Sequence, residues 1–399
     1  MKLQKKVLKN GTTVLFEKRD LPVVSASITN RFGGAYERSE IKGVAHVIEH
    51  LLFTGTKTRT HEDISREIEK KGGILNAFTA QDATSFWFKL PSEHLFAGLD
   101  ILVDLLKNPK FDKDKFEKEK KVILEEIKMY HDNPRTHVGE MIEKNLYDKP
   151  FGELIIGNAR TVSALDRDFV ASLFKKVYSP ENYIVTVVGD ASFEKVCEYF
   201  EKNFEAEGKK TEIVPIKKLN GKSADERPGI DQAHLIFAFH APLMTEKEYF
   251  DLEVLDAYLA KGMSSKLFLE IREKRGLAYT VKSSLNTEKN YSYYSIYVGT
   301  TKEAVPEVKK LILQGFGDAS KKMTPVDLQE GKERLIGLKK VMSEESSDVM
   351  NEIMYHELIS KAEYYYDYEK KIEMVKLGDV KKIALEGPKR YSTAEVLPK

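Results

Sequence analysis

The order of predicted strands and helices in the first half of the chain recurs in the second half, and this repeat limits the folds that the chain can adopt. In residues 1–35, alternating apolar and polar positions predict a hairpin that turns at Asn10-Gly11 and a further strand. From residue 234 onward a strand, two helices, two strands and further helices follow one another. The repeat lies in the pattern and not in residue identity. It predicts an α+β fold with two similar domains, each an antiparallel sheet with helices packed on one face.

The length of 399 residues also suits two domains better than a single core. Residues 207–231 are rich in Lys, Gly and Pro and lack sustained apolar periodicity, so we expect them to form the interdomain connection. This division gives an N-terminal domain at 1–206 and a C-terminal domain at 232–399.

The composition excludes several classes of partner. Lys and Arg total 64 against 63 Asp and Glu, and this balance predicts neither nucleic acid nor an acidic membrane as partner. No run of 18 apolar residues indicates a membrane-spanning helix, and the basic start lacks the apolar core of a signal peptide. Cys197 is the single cysteine, so an intrachain disulfide is impossible. We expect a cytoplasmic protein.

The segment His46-Val47-Ile48-Glu49-His50 carries the strongest chemical signal, because residues 43–54 have helical spacing. On a helix, His46 and His50 lie roughly 40° apart and one turn from each other, which lets two imidazoles bind one zinc ion. Glu49 lies about 60° to the other side of His46, where a general base for a metal-bound water must stand. Chance alone would produce such a string in roughly one or two chains per hundred.

A third ligand is available on the helix predicted at 112–131. Glu119 and Glu126 are seven residues apart at the edge of its apolar stripe, whereas Glu125 points to roughly the opposite side. Carboxylates beside an apolar face are costly unless they are paired or bind a metal, which favours Glu126 over Glu125 as ligand. The alternative is an ordinary glutamate-rich helix surface.

These motifs resemble the inverted zinc peptidases, the family of pitrilysin, insulin-degrading enzyme and the mitochondrial processing peptidase. The resemblance covers nearly the whole chain and is closest to the short bacterial members. It implies one zinc ion per chain, held by His46, His50 and Glu126, with Glu119 as the supporting acid. Glu126 follows His50 by 76 residues, which fits the spacing of the family's third ligand.

The resemblance implies further site residues outside the metal motif. Residues 72–87 are similar to the strand that pairs with substrate, so Asn76 and Ala77 are implied substrate contacts. In the second half, Arg272 and Tyr279 match an Arg and a Tyr seven residues apart, which in the family face the zinc from the second domain. They are implied to bind substrate and to stabilise the oxyanion.

The function expected from these features is that of a zinc-dependent endopeptidase with Glu49 as general base. The resemblance implies a closed chamber that admits peptides or unfolded segments, which a two-domain chain would complete as a homodimer. The alternative is a non-catalytic partner or assembly subunit on the same fold. Such relatives lose metal ligands, whereas this chain keeps all of them. A metal hydrolase acting on another type of bond is a third hypothesis.

Overall fold

The computed structural model describes residues 3–205 and 211–399, in which strands and helices alternate in two series. The strands are β1 (Leu3–Val7), β2 (Thr13–Lys18), β3 (Val23–Asn30), β4 (Ile74–Thr79), β5 (Thr84–Pro91), β6 (Tyr183–Gly189), β7 (Lys222–Arg227), β8 (Ala233–His240), β9 (Ala278–Thr287), β10 (Ser292–Thr300) and β11 (Ser392–Pro398). The α-helices are α1 (Val44–Phe53), α2 (His61–Glu69), α3 (Leu95–Lys107), α4 (Lys113–Asp132), α5 (Pro134–Leu146), α6 (Ala159–Ala164), α7 (Arg167–Val177), α8 (Phe193–Asn203), α9 (Lys247–Leu259), α10 (Val305–Lys322), α11 (Pro325–Met342), α12 (Ser346–Ile359), α13 (Tyr368–Glu373) and α14 (Leu377–Glu386).

The chain divides into two compact units, and both are discontinuous in sequence. The first unit comprises 1–127, 154–215 and 342–365, and the second comprises 128–153, 216–341 and 366–399. A cut at 207–231, as predicted from the sequence, misses two exchanged segments. One carries α5 into the second unit, and the other carries α12 into the first. Strand β7 also lies inside the segment expected to be a connection.

The first unit contains a six-stranded sheet in the order β1-β2-β6-β3-β5-β4. Neighbouring strands are antiparallel, apart from the parallel pair β2 and β6. The hairpin predicted at Asn10-Gly11 is confirmed, with Val7 opposite Thr13. Strand β4 pairs with β5 on one side only and therefore forms an edge of this sheet.

The second unit contains a five-stranded sheet in the order β7-β11-β8-β10-β9. Its one parallel pair joins β7 and β11. The α+β class and the two similar units are confirmed. The sheets differ from the expectation because each is mixed rather than wholly antiparallel.

Helices cover both faces of each sheet, whereas the sequence pattern predicted one. In the first unit, α12 packs on β6 and β3 on the face opposite the main core. Strand β6 shows why, since Val185 and Val187 belong to the main core while Ile184 and Val188 contact the α12 side. All seven residues of β6 are buried. A continuous apolar strand of this kind requires cover on both faces. In the second unit α5 packs against β11 and β8.

Within residues 3–205 and 211–399, no helix combines the length and the apolar character needed to cross a bilayer.

Helix α1, which carries the two histidines, is anchored at its start by a side chain from outside the helix. Gly43 precedes it at φ 99°, a left-handed conformation that favours glycine. The fully buried carboxylate of Glu37 accepts hydrogen bonds from the backbone N–H groups of Gly43 (3.0 Å) and Ala45 (2.7 Å). Lys42, also fully buried, has its ammonium 3.9 Å from Glu37. Glu37 therefore supplies the N-terminal cap that Gly43 lacks a side chain to provide.

Replacing Glu37 with alanine is expected to lower the free energy of unfolding of the first unit by about 2–4 kcal/mol, because two backbone donors lose their acceptor. Urea denaturation followed by the fluorescence of Trp87, the single tryptophan of the chain, measures this change. The matched control is Glu40→Ala, an exposed glutamate three residues away, which should change the free energy by less than about 0.5 kcal/mol. Equal stability of the two variants would contradict the capping role.

Candidate metal centre

Two imidazoles and one carboxylate converge between α1 and α4. His46 and His50 lie one turn apart on α1, and their ring centres are 4.6 Å apart. Glu126 projects from α4, with its Oε2 atom 3.8 Å from His46 Nε2 and 3.5 Å from His50 Nε2. One ligand atom from each residue lies within 4.8 Å of the other two. Among the residues that the structure describes, this is the one such group of three or more potential metal ligands.

The spacing of these atoms fits a zinc ion. With zinc–nitrogen and zinc–oxygen distances near 2.1 Å, two ligands of a tetrahedral site are separated by about 3.4 Å. The two separations from Glu126 are close to this value. Two histidines and one carboxylate also form a ligand set that leaves the fourth position open, as catalytic zinc sites do.

The carboxylate of Glu119 contacts the imidazole of His50 on the side away from Glu126. Its Oε2 atom lies 3.3 Å from His50 Nδ1, on the side of the ring opposite the Nε2 atom that faces Glu126. A carboxylate in this position favours the tautomer with its proton on Nδ1, which leaves Nε2 as the metal ligand. The supporting role expected for Glu119 stays a prediction, and the structure places its carboxylate beside the ring of His50.

Without a metal, the two histidines differ in protonation. Burial lowers the pKa of His46 to about 4, and the neighbouring His50 adds to this effect. Burial would also lower the pKa of His50, but its hydrogen bonds to Glu119 and Glu126 raise it to about 9. His46 is therefore neutral near pH 7, whereas His50 holds a proton that a bound metal would displace.

Glu49 stands beside this cluster without belonging to it. Burial raises the pKa of its carboxyl, and a hydrogen bond that its Oε2 accepts from the hydroxyl of Thr79 opposes the rise. Glu49 and His50 both line a pocket of about 510 Å³. The carboxylate is thus close to the metal ligands and open to a cavity, as a general base requires.

The same pocket reaches the edge strand β4. Asn76, which is exposed, lines the pocket together with Phe53, Lys115 and Glu119. The Oδ1 atom of Asn76 accepts a hydrogen bond from the N–H of Ala77 (2.8 Å), whose side chain packs against the core of the first unit. The structure therefore brings Asn76, Glu49 and His50 to one cavity, and it places Ala77 in the adjoining backbone.

Arg272 and Tyr279 lie together on the second unit. The chain forms a π-helix at Phe268–Glu273 where the sequence pattern predicted an α-helix, and β9 begins five residues later. The guanidinium of Arg272 lies 5.0 Å from the ring centre of Tyr279 and 4.9 Å from that of Phe268. Tyr279 is 72% exposed, so both its ring and its hydroxyl are accessible.

Sequence reasoning missed Thr79 and Glu37, which contact Glu49 and the start of α1 respectively. The period-two alternation of a strand offered a signal for Thr79, because it places residues 75, 77 and 79 on the same face. No comparable signal marks Glu37, since its two backbone partners lie across a turn. Glu125, in contrast, is exposed and outside the cluster, as its helical position indicated.

The chain is similar to known proteins over most of its length. Residues 13–158 match the model of a family described as Insulinase (Peptidase family M16), and residues 164–335 match one described as Peptidase M16 inactive domain. A Rickettsia felis protein named uncharacterized zinc protease is 31% identical over 333 residues, which cover 82% of this chain and 81% of the relative. The Bacillus subtilis protein named uncharacterized zinc protease YmxG is 29% identical over 355 residues, covering 88% and 87%.

Solved structures show the same fold. A crystal structure described as a protease from Helicobacter pylori covers 100% of this chain and 99% of its own, with a TM-score of 0.92 at 23% sequence identity. The two family models together span most of the chain, and the relatives match over most of their length. The family predicted from the motifs is confirmed, and the chain belongs to the M16 family of peptidases.

Proposed function

We propose that this protein is a zinc-dependent endopeptidase that hydrolyses peptides or unfolded polypeptide segments. One observation carries the proposal: His46, His50 and Glu126 present three ligand atoms within 4.8 Å of one another, with the Glu126 oxygen 3.8 and 3.5 Å from the two imidazole nitrogens. Glu49 stands beside them and faces an accessible pocket. A site that only stabilised the fold would be expected to close the fourth position with a further protein ligand.

His46, His50 and Glu126 would hold the zinc ion, which would supply a Lewis acid to activate the attacking water and to polarise the scissile carbonyl. The residues of this chain then perform the proton transfers. Glu49 takes the proton from the attacking water and hands it to the leaving amine, since the protonated carboxyl is a competent acid. Glu119 holds the His50 ring, so that the ligand keeps its tautomer and orientation.

The edge strand β4 is the proposed binding surface for the peptide. Within the described ranges of the chain, no strand pairs with its side away from β5, so an extended peptide could add there through main-chain hydrogen bonds. Asn76 and the backbone of Ala77 would contact the added strand beside the pocket of Glu49 and His50. Affinity that comes mainly from the main chain predicts modest sequence selectivity.

Arg272 and Tyr279 are proposed to contact the substrate at its reacting carbonyl. The exposed hydroxyl of Tyr279 is a hydrogen-bond donor suited to the oxyanion, and the guanidinium beside it adds positive charge. The basis for assigning these roles is membership of the family together with the pairing of the two side chains.

We further propose a homodimer that encloses a chamber, and a cytoplasmic location. A single chain with both the ligand set and the Arg272–Tyr279 pair favours self-association over an obligate different partner. The single cysteine, which excludes an intrachain disulfide, supports a reducing compartment such as the cytoplasm. Sedimentation equilibrium measures the assembly state, and a monomer at working concentration would contradict the chamber.

The competing hypothesis is a non-catalytic subunit on the same fold. The retained ligand set argues against it, since a subunit without chemistry has no need of a ligand cluster at these distances. Hydrolysis of a quenched fluorescent peptide, with and without a chelator, separates this hypothesis from the peptidase. If the protein hydrolyses another type of bond and leaves the peptide bond intact, it is a metal hydrolase of a different class.

Replacing Glu49 with glutamine is expected to lower kcat about a hundredfold to ten-thousandfold while zinc stays bound, because the amide cannot accept the proton. Turnover is measured with the quenched peptide and zinc content by metal analysis. Loss of zinc together with activity would mean that Glu49 helps to hold the metal. Full activity with zinc bound would exclude Glu49 as the base.

Glu119→Gln is expected to weaken zinc binding about tenfold to a hundredfold, because it removes the support of a ligand. Glu126→Gln is expected to weaken zinc binding further, because it removes a ligand itself. Competition with a chromophoric chelator measures both affinities without reference to activity. Glu125→Gln on the same helix is the matched control and should bind zinc like the wild type. Equal losses for Glu125→Gln and Glu126→Gln would refute the assignment.

Tyr279→Phe is expected to lower kcat about a hundredfold with zinc content unchanged, since a donor to the oxyanion is removed. The change deletes one hydroxyl from an exposed side chain, so unfolding is not a concern. An unchanged kcat would show that Tyr279 takes no part in the chemistry.

A further inference from the structure

Thr79 is the one residue of strand β4 for which a hydrogen bond to the proposed base is seen. Its hydroxyl donates to Oε2 of Glu49, and both side chains belong to the first unit. Thr79 closes β4, and its partner across the sheet is Thr84 of β5. Strand β4 also contacts helix α1, so the hydroxyl of Thr79 links the substrate-binding strand to the helix that carries the metal motif.

A free glutamate side chain has three rotatable bonds and samples several rotamers, which a general base beside a metal cannot do productively. The packing of Val47 and Ile48 in the core holds the backbone of α1 but not the carboxylate of Glu49. The hydroxyl of Thr79 donates to Oε2 of Glu49, so Oε1 is the carboxylate oxygen to which Thr79 does not bond. The hydroxyl of Thr79 therefore favours one rotamer of Glu49 and leaves Oε1 as the oxygen for proton transfer.

We propose that Thr79 is a positioning residue, which holds the Glu49 carboxylate in place for proton transfer. This inference deepens the proposed function and rests on it. Because Thr79 belongs to the edge strand on which the peptide would add, a substrate that orders β4 would also order the contact with the base. Thr79 itself touches neither the metal ligands nor the reacting atoms in this scheme.

A purely structural role is the alternative, in which the hydroxyl only secures the end of β4. Two substitutions separate these roles. Thr79→Val removes the hydroxyl but keeps the shape and the β-branched character that suits a strand. Thr79→Ser keeps the hydroxyl and removes a methyl group. Thr29→Val is the matched control, because Thr29 is a buried threonine of the same sheet whose hydroxyl bonds Ser85 at 2.7 Å.

Thr79→Val is expected to lower kcat about tenfold to a hundredfold, the range for losing a hydrogen bond to a charged group, with KM changed by less than about twofold. Thr79→Ser should retain kcat within about threefold, and the control Thr29→Val should match the wild type. In the Glu49→Gln background, Thr79→Val should cause no further loss, because its effect acts through the carboxylate.

A second readout does not require turnover. A peptide hydroxamate binds metal and donates a hydrogen bond to a neighbouring carboxylate, so its affinity for the zinc-loaded protein reports on the position of Glu49. Calorimetry should show about tenfold weaker binding for Thr79→Val and little change for Thr79→Ser, at equal zinc affinity.

An unchanged kcat in Thr79→Val, or an equal loss in the Glu49→Gln background, would overturn the positioning role. Weaker zinc binding or a raised KM in Thr79→Val would also overturn it in favour of a structural role. If the wild type binds zinc and hydroxamate but cleaves no peptide, the proposed function fails, whereas the hydroxamate affinities still decide the role of Thr79.

Discussion

Three side-chain atoms from two helices must come within bonding distance of one metal ion, and the packing of the first unit is what places them there. His46 and His50 share one helix, so helical geometry alone sets their spacing. Glu126 comes from α4, and its approach to them depends on how α4 packs. Phe116 and Ile123 of α4 lie in the same apolar core as the inner face of α1. Because a close-packed core allows little movement, it holds the Glu126 carboxylate 3.5–3.8 Å from the two imidazole nitrogens, the spacing of ligands that share one metal ion.

A second constraint acts on the orientation of α1. Its start is held by the buried carboxylate of Glu37, which receives two backbone N–H groups and lies near the buried ammonium of Lys42. Two charges in a fully buried environment are costly and become tolerable only with well-placed hydrogen bonds. Burial raises the pKa of Glu37 to about 7, against the opposing effect of Lys42. The protein therefore accepts an electrostatic cost to fix the helix on which both histidines stand.

Strand β4 connects the centre to its proposed substrate. No strand in the described part of the chain pairs with its outer edge. Asn76 lines the pocket beside the ligands, and the hydroxyl of Thr79 donates to the carboxylate of Glu49. Successive side chains of a strand point to opposite faces, so Asn76 and Thr79 can make different contacts. The backbone is left to pair with a peptide while the side chains on one face contact α1.

The sequence alone determined the repeated α+β order, the helix at 43–54, the pairing of His46 with His50, and the choice of Glu126 over Glu125. These features follow from local periodicity, because the spacing of residues on one helix sets which side chains share a face. Only the tertiary structure decided that α5 and α12 are exchanged between the units and cover the second face of each sheet. It also decided the contacts of Thr79 with Glu49 and of Glu37 with α1. Contacts of this kind join residues on different elements, and they depend on core packing that no local pattern records.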